Sequence, residues 1–256
     1  MPNPVKERLR QGLPAIGTWL SIPSPVVAEA LAGLEPDWLL IDTEHGAIDE
    51  QTVEEMIRAI RAASSTVVPL VRVAANDPAL IKKALDRGAM GVLVPLVNSA
   101  EEARRAVAAC RYPPDGIRGV AGTRASRYGL DMDRYFASWN REVLVGVQVE
   151  TPAALEAVEA IASTPGVDLL FIGPNDLSAG LGLFRQWEHP HYRAAVARIL
   201  DAAKAAGIAA GYMARGPEEA QRRVREGFAL VSVTTDLGLL LQAASGAFEQ
   251  ARGPAR

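Results

Sequence analysis

The sequence predicts an α/β chain folded as one (β/α)8 barrel, a TIM barrel, in a single domain spanning residues 1–256. Three observations predict it. Eight short apolar runs alternate with longer segments of helical period. Several runs carry hydrophobics on successive positions, as strands buried on both faces do. The length, 256 residues, suits one such barrel, and no boundary for a second domain is visible. An open doubly wound sheet is the main competing architecture.

The candidate strands are "AIGTWLS" (15–21), "WLLID" (38–42), "VVPLVRV" (67–73), "GVLVPLV" (91–97), "LVGVQVE" (144–150), "LLFIG" (169–173), "IAAGYM" (208–213) and "ALVSVT" (229–234). The helices between them have readable starts. Ser24 and Pro25 open one, Asp49 another, and Asp77 with Pro78 a third, which Gly88 closes. Ser99, Thr151 with Pro152, and Gly216 with Pro217 open others. One connection is longer. Residues 111–143 hold six arginines with Pro and Gly signals between the fourth and fifth strands. Connections of that length in compact domains are usually lids or binding loops.

Composition narrows the function. Hydrophobic residues make up 49% and charged residues 22%, which argues against disorder. The net charge is -3, and the 23 arginines and four lysines are scattered among acids, so no nucleic-acid footprint is present. "MPNPVKERLRQGLP" lacks the apolar core of an export signal, and no apolar run approaches the roughly 18 residues of a membrane span. The single cysteine, Cys110, excludes an intrachain disulfide and a multi-cysteine metal site. The expectation is a cytoplasmic enzyme.

In such barrels the active site lies at the carboxyl ends of the strands. The polar residues there are Asp42 at the end of the second strand with Glu44 and His45 just past it, Arg72 in the third, Gln148 and Glu150 in the fifth, and Asp176 after the sixth. The other ends offer less: Pro95, Met213 and residues 234–236. Several have structural alternatives. Glu150 before Thr151-Pro152 could serve the next helix start, and Asp176 could cap a turn. His45 alone fits a packed core as well as a catalytic site. Arg72 is harder to explain away, because an arginine inside a β-branched strand is rarely buried without an anion.

Some chemistries can be removed. A Schiff-base aldolase needs a lysine at a strand end, but Lys6 lies in the N-terminal segment and Lys82, Lys83 and Lys204 in helices. Cys110 ends a predicted helix. For His189 and His191 a solvated helix start competes with a metal pair. No P-loop occurs. What remains is a carboxylate pair suited to a hard divalent ion such as magnesium or manganese. Beside it stand an arginine able to grip a carboxylate and a histidine able to move a proton near neutral pH. Together they fit chemistry on a 2-oxo acid, with the ion stabilising an enolate.

"WLLIDTEHG", "VRVAAND", "LDRGAMGVLVPLV", "RYPPDGIRGV", "RASR", "QVET" and "FIGPNDLSAGLG" together resemble the HpcH/HpaI family of metal-dependent 2-oxo-3-deoxy acid aldolases, from about residue 14 to about 245. The resemblance implies a phosphoenolpyruvate/pyruvate-type barrel. It also implies reversible class II cleavage of a 4-hydroxy-2-oxo acid to pyruvate and an aldehyde, in aromatic or sugar acid catabolism. On the same ground, Glu150 and Asp176 ligate a divalent ion (Mg2+, Mn2+ or Co2+). Arg72 binds the pyruvate carboxylate, helped by Gly173, Pro174 and Asn175. Gln148 sits beside the metal and the keto oxygen, and His45, oriented by Asp42, is the acid/base group. Asp86 matches a family position that makes a polar contact across a subunit interface; helix-face solvation accounts for it equally well. Family members are hexamers, dimers of trimers. A homo-oligomer is therefore implied, with the C-terminal helix, about 236–252, packed on a neighbour.

Departures cluster away from the metal. "GPADLS" becomes "GPNDLS", the loop "RGVAGTRASRYG" is shortened, "SVTTD" follows strand eight, and Phe184 and Trp187 are bulky. These surround the aldehyde side and leave the aldehyde open. Glu44 and Asp49 are given no required chemical role, with Asp49 free to cap a helix. Two alternatives remain: a metal-enolate lyase acting on an acyl-CoA ester, which would need a CoA groove, and a non-catalytic barrel that binds a 2-oxo acid.

Overall fold

All eight apolar runs form strands: β1 Ala15–Leu20, β2 Trp38–Asp42, β3 Val68–Arg72, β4 Gly91–Val94, β5 Leu144–Gln148, β6 Leu169–Ile172, β7 Ala209–Met213 and β8 Leu230–Thr235. The computed structural model describes residues 2–253. The strands pair in parallel, each with its neighbour in sequence, and β8 closes on β1. The doubly wound alternative is thereby excluded. β4 ends earlier than the apolar run suggests, because Leu96 turns the backbone into the left-handed region at φ 53°. β5 also stops short, at Gln148, which leaves Glu150 beyond the ladder.

The helices are α1 Pro4–Arg10, α2 Pro25–Ala32, α3 Glu50–Ala63, α4 Pro78–Asp86, α5 Ala100–Cys110, α6 Met132–Glu142, α7 Pro152–Glu156, α8 Val158–Ala162, α9 Pro174–Gly180, α10 Pro190–Ala206, α11 Pro217–Glu226 and α12 Asp236–Arg252. The side chains of Ser24, Asp49, Asp77, Ser99 and Thr151 each accept from a backbone N–H in the first turn that follows. Asp49 is thus a cap. His189 is another, its Nδ1 accepting from the His191 N–H at 3.2 Å, so this pair serves a helix start. The connection 111–143 is less loop-like than its composition suggests, since it carries α6 and a short 3-10 turn at Arg124–Ser126.

Two apolar layers account for the consecutive hydrophobics. Leu39 and Ile41 face the helices, whereas Trp38 and Leu40 fill the barrel interior; β6 divides the same way, Leu170 and Ile172 against Leu169 and Phe171. The interior layer continues into Val5 and Leu9 of α1, which plugs the end opposite the carboxyl termini of the strands. Lys6 of α1 is buried there, with Nζ 2.8 Å from Asp168.

The C-terminal helix stands apart from this packing. α12 buries only Asp236, while Leu237, Leu240, Leu241 and Phe248 are exposed. Beside it, cavities of about 270 and 480 Å³ share Ile16 and Val233 and reach Leu31 and Leu34 on the α2 side and Ala220 and Val224 on α11. A regular barrel puts its eighth helix in that gap. Among the described residues no helix is long and apolar enough to cross a membrane.

Candidate active site

The carboxyl end of β3 carries the arginine around which the site is built. Asp42 and Arg72 are register partners on adjacent strands, so both side chains rise from the same level of the barrel. Arg72 donates to Asp42 through Nε at 2.8 Å and Nη2 at 2.7 Å. Its Nη1 lies 2.9 Å from a Glu44 oxygen and 3.4 Å from Gln148 Oε1. The guanidinium stacks on Trp19, its Cζ 4.5 Å from the ring centroid. Both members of the Asp42–Arg72 pair are buried. The anion that Arg72 required is therefore supplied by the chain itself.

This corrects one expectation. Asp42 does not orient the His45 ring. Its carboxylate is taken by Arg72 and by the backbone N–H groups of Glu44 at 3.1 Å and His45 at 3.4 Å. Those bonds shape the turn that follows β2 and leave His45 at its exposed rim. Glu44, given no role from sequence, is the residue that meets Arg72 Nη1. Burial raises its pKa, against the pull of Arg72. Glu44 lies in that turn, past the end of β2, so strand alternation gave no signal for it.

Across the bowl Gln148 links the two halves. Its Oε1 faces Arg72 and its Nε2 donates to Glu150 Oε2 at 2.5 Å. Glu150 Oε1 accepts from the Leu96 N–H at 2.8 Å, a bond that the left-handed turn at Leu96 makes available. Thr151 caps α7, so Glu150 is not spent on the helix start. Asp176 lies in the first turn of α9. Gly173 between them has no Cβ for a physical reason: one would meet Glu150 Oε2 at 2.8 Å, Gln148 Nε2 at 3.2 Å and Asp176 Oδ2 at 3.5 Å. Two carboxylates from neighbouring strand ends thus converge over one glycine. Among the described residues neither has a Lys, Arg or His side chain within ion-pair distance. Burial pushes Glu150 up to about 7, opposed by the Leu96 N–H and reinforced by the charges of Asp176 and Glu44.

His45, Glu44, Leu96, Glu150 and Asp176 line one cavity of about 340 Å³. Pro174 is buried as the first residue of α9, and Asn175 is exposed; neither lines this cavity. Asp86 lies elsewhere. It pairs with the buried Arg118 at 2.7 Å, and that guanidinium sits over the Tyr112 and Trp139 rings, so helix-face solvation is not its role. Trp187 packs under Arg215, with Cζ 3.9 Å from the ring centroid, whereas Phe184 is exposed.

With this geometry the chain matches the HpcH/HpaI aldolase/citrate lyase family over residues 15–243. It belongs to that family. A hydroxypyruvate/pyruvate aldolase of Paraburkholderia phytofirmans (strain PsJN) is 43% identical, with 98% of each chain covered. A 5-keto-4-deoxy-D-glucarate aldolase of Salmonella paratyphi C is 40% identical over 93% of this chain and 92% of that one. In structure, an HpcH/HpaI aldolase/citrate lyase family protein from Burkholderia cenocepacia J2315 superposes with a TM-score of 0.95 at 43% identity, covering 98% of this chain and all of the other. The chain is a carbon–carbon lyase of the aldolase type. The family resemblance drawn from its motifs is confirmed.

Proposed function

We propose that the bowl carries out class II aldol chemistry, cleaving a 4-hydroxy-2-oxo acid reversibly to pyruvate and an aldehyde with a divalent ion held by Glu150 and Asp176. The observation that carries this reading is the convergence of those two carboxylates over Gly173 with, among the described residues, no Lys, Arg or His side chain within ion-pair distance of either. A buried carboxylate beside two like charges gains most from a cation, and oxygen donors suit Mg2+, Mn2+ or Co2+. The residues present fit the ion. When bound, it supplies a Lewis acid that draws charge from the keto oxygen as the enolate forms. The names of the relatives, hydroxypyruvate/pyruvate aldolase and 5-keto-4-deoxy-D-glucarate aldolase, support the reaction class and a place in acid catabolism.

The chain's own groups then divide the work. Arg72, locked by Asp42 and Trp19, offers Nη1 to the substrate carboxylate, and Glu44 gives way when it arrives. Gln148 holds Glu150 in place and presents its amide beside the keto group, while the backbone around Gly173, Pro174 and Asn175 bounds the oxo-acid half. His45 takes the proton from the 4-hydroxyl as the C3–C4 bond breaks and the aldehyde leaves. The protonated His45 then returns that proton to the enolate carbon, which becomes the pyruvate methyl. Synthesis runs the same steps backwards.

α12 and the vacant gap beside it support a homo-oligomer in which this helix packs on a neighbouring copy, in line with a hexamer built as a dimer of trimers. A cytoplasmic setting suits its buried, unpaired Cys110. The test of the reaction is a screen of aldehydes against pyruvate with several divalent ions and a chelator control. Aldol product that requires the ion is expected. No product with any aldehyde under any ion would refute the reading, and turnover of a CoA thioester alone would favour the acyl-CoA lyase.

A further inference from the structure

A second cavity, of about 580 Å³, opens far from the bowl. Its walls include Ser65, residues 88–90 and Glu142, which lie just before β3, β4 and β5, so it sits at the amino ends of those strands. The catalytic groups stand at the opposite end. Met90, Leu130, Tyr135 and Trp139 give it an apolar floor and rim, and Arg61, Arg124 and Arg127 bring charge. The one acid in its lining, Glu142, is turned to the backbone N–H of Asn3 at 2.8 Å.

Two of the arginines lack the partner that half-buried arginines normally have. Among the described residues neither Arg61 nor Arg124 has a carboxylate within 4 Å. Arg61 Nη1 reaches the Ser65 and Val67 carbonyls only at 3.3 and 3.4 Å and its Nη2 meets the Met90 sulfur, while Arg124 Nη1 donates to the Arg87 carbonyl at 2.9 Å, so neither is paired with an anion. Glu54 is near Arg124 but is engaged by Arg58 and Arg87. Burial lowers the pKa of both guanidinium groups, and Arg124 adds to the effect on Arg61. They share one lining and repel each other across it.

The backbone is arranged to keep them there. Gly88, at φ +103°, is the seat of Arg124: a Cβ on it would lie 2.2 Å from Nη1. Arg127 and Tyr128 adopt φ values of 55° and 59°, and Gly129 follows at 92°. Consecutive left-handed residues with side chains are costly and persist where surrounding structure enforces them. Here they carry the segment that holds Arg124, Arg127, Tyr128 and Leu130 over the cavity, with Tyr128 and Leu130 left 63% and 84% exposed. Unneutralised guanidinium groups, an apolar body and a volume within the range of small-molecule sites describe one ligand chemistry.

We propose that this cavity is a second, non-catalytic site for a small organic anion, its carboxylate or phosphate head between Arg61 and Arg124 and its apolar body on Met90, Leu130 and Trp139. Planar guanidinium groups favour oxyanion heads, and the aromatic floor favours a ring or short hydrocarbon behind the head.

Crystals of the full chain soaked separately with 4-bromobenzoate and 4-bromophenyl phosphate test it, with the bromine located by anomalous scattering. Bromine over Trp139, with the head on Arg61 and Arg124, is expected, and the probe that occupies the site identifies the head group. Bromine only in the catalytic bowl, bromine nowhere, or a neighbouring copy of the chain seated across Tyr128 and Leu130 would overturn the proposal. In solution, calorimetric titration of the occupying probe should weaken about tenfold or more in an Arg61→Leu/Arg124→Leu variant. Pyruvate proton exchange should be unchanged. Gly88→Ala, which displaces Arg124 without removing a charge, should weaken the probe in the same direction. Undiminished affinity in folded forms of both variants would contradict it. Inorganic phosphate should bind more weakly than 4-bromophenyl phosphate; equal affinity would remove the apolar half of the site.

Discussion

At Arg72 three side chains compete for one guanidinium. Asp42 holds Nε and Nη2, and Glu44 and Gln148 share Nη1. A lysine cannot satisfy that set, because its point charge offers no planar fork. Arg72→Lys should therefore raise the pyruvate KM by about tenfold to a hundredfold, equivalent to ~1.5–3 kcal/mol for a charged hydrogen bond, as measured by steady-state kinetics. Glu44→Gln should do the reverse. With no carboxylate to displace from Nη1, the pyruvate KM should fall about fivefold, ~1 kcal/mol. An unchanged KM would show that Glu44 does not compete with substrate. Cys110 is buried and its pKa is pushed up to about 12 by desolvation. Its thiol stays protonated in the folded chain at pH 8, so a thiol reagent should label it only after denaturant is added. What sequence showed at this scale was the need of Arg72 for an anion. Which acid answers it depends on the β2–β3 register, and His45 lies in a turn where strand alternation no longer dictates direction.

Among the elements, the strands and capped helices were legible because their signals are local. Ser24, Asp49, Asp77, Ser99 and Thr151 each cap within their own turn, and runs such as Trp38–Asp42 are apolar throughout because both faces are covered. α1 and α6 were not. α1 is short and charged, and it is held by a lysine whose partner, Asp168, is 162 residues away. Lys6 Nζ also donates to the Val143 carbonyl at 2.5 Å, and Asp168 accepts from the Val145 N–H at 2.9 Å. Removing one member of a buried pair leaves the other uncompensated. Lys6→Met should cost about 3–5 kcal/mol in denaturant unfolding and loosen α1 from the barrel floor. A change near zero would mean that Val5 and Leu9 alone hold the plug.

For the whole molecule the incomplete feature is the gap between α2 and α11. Leu237, Leu240, Leu241 and Phe248 stand exposed on α12 beside cavities floored by Ile16 and Val233. Burying four such side chains is worth about 1.5–3 kcal/mol each. A Leu241→Glu/Phe248→Glu variant should therefore run at a smaller mass in analytical ultracentrifugation than the parent chain; an unchanged mass would remove α12 from the interface. The account as a whole depends on the divalent cation proposed for Glu150 and Asp176. The direct measurement is pyruvate methyl proton exchange in D2O, followed by NMR with Mg2+, with chelator, and in Asp176→Ala. Exchange that needs the ion, stops with chelator, returns when the ion is restored and is absent from the variant is predicted. Exchange that continues in chelator or in Asp176→Ala would contradict it.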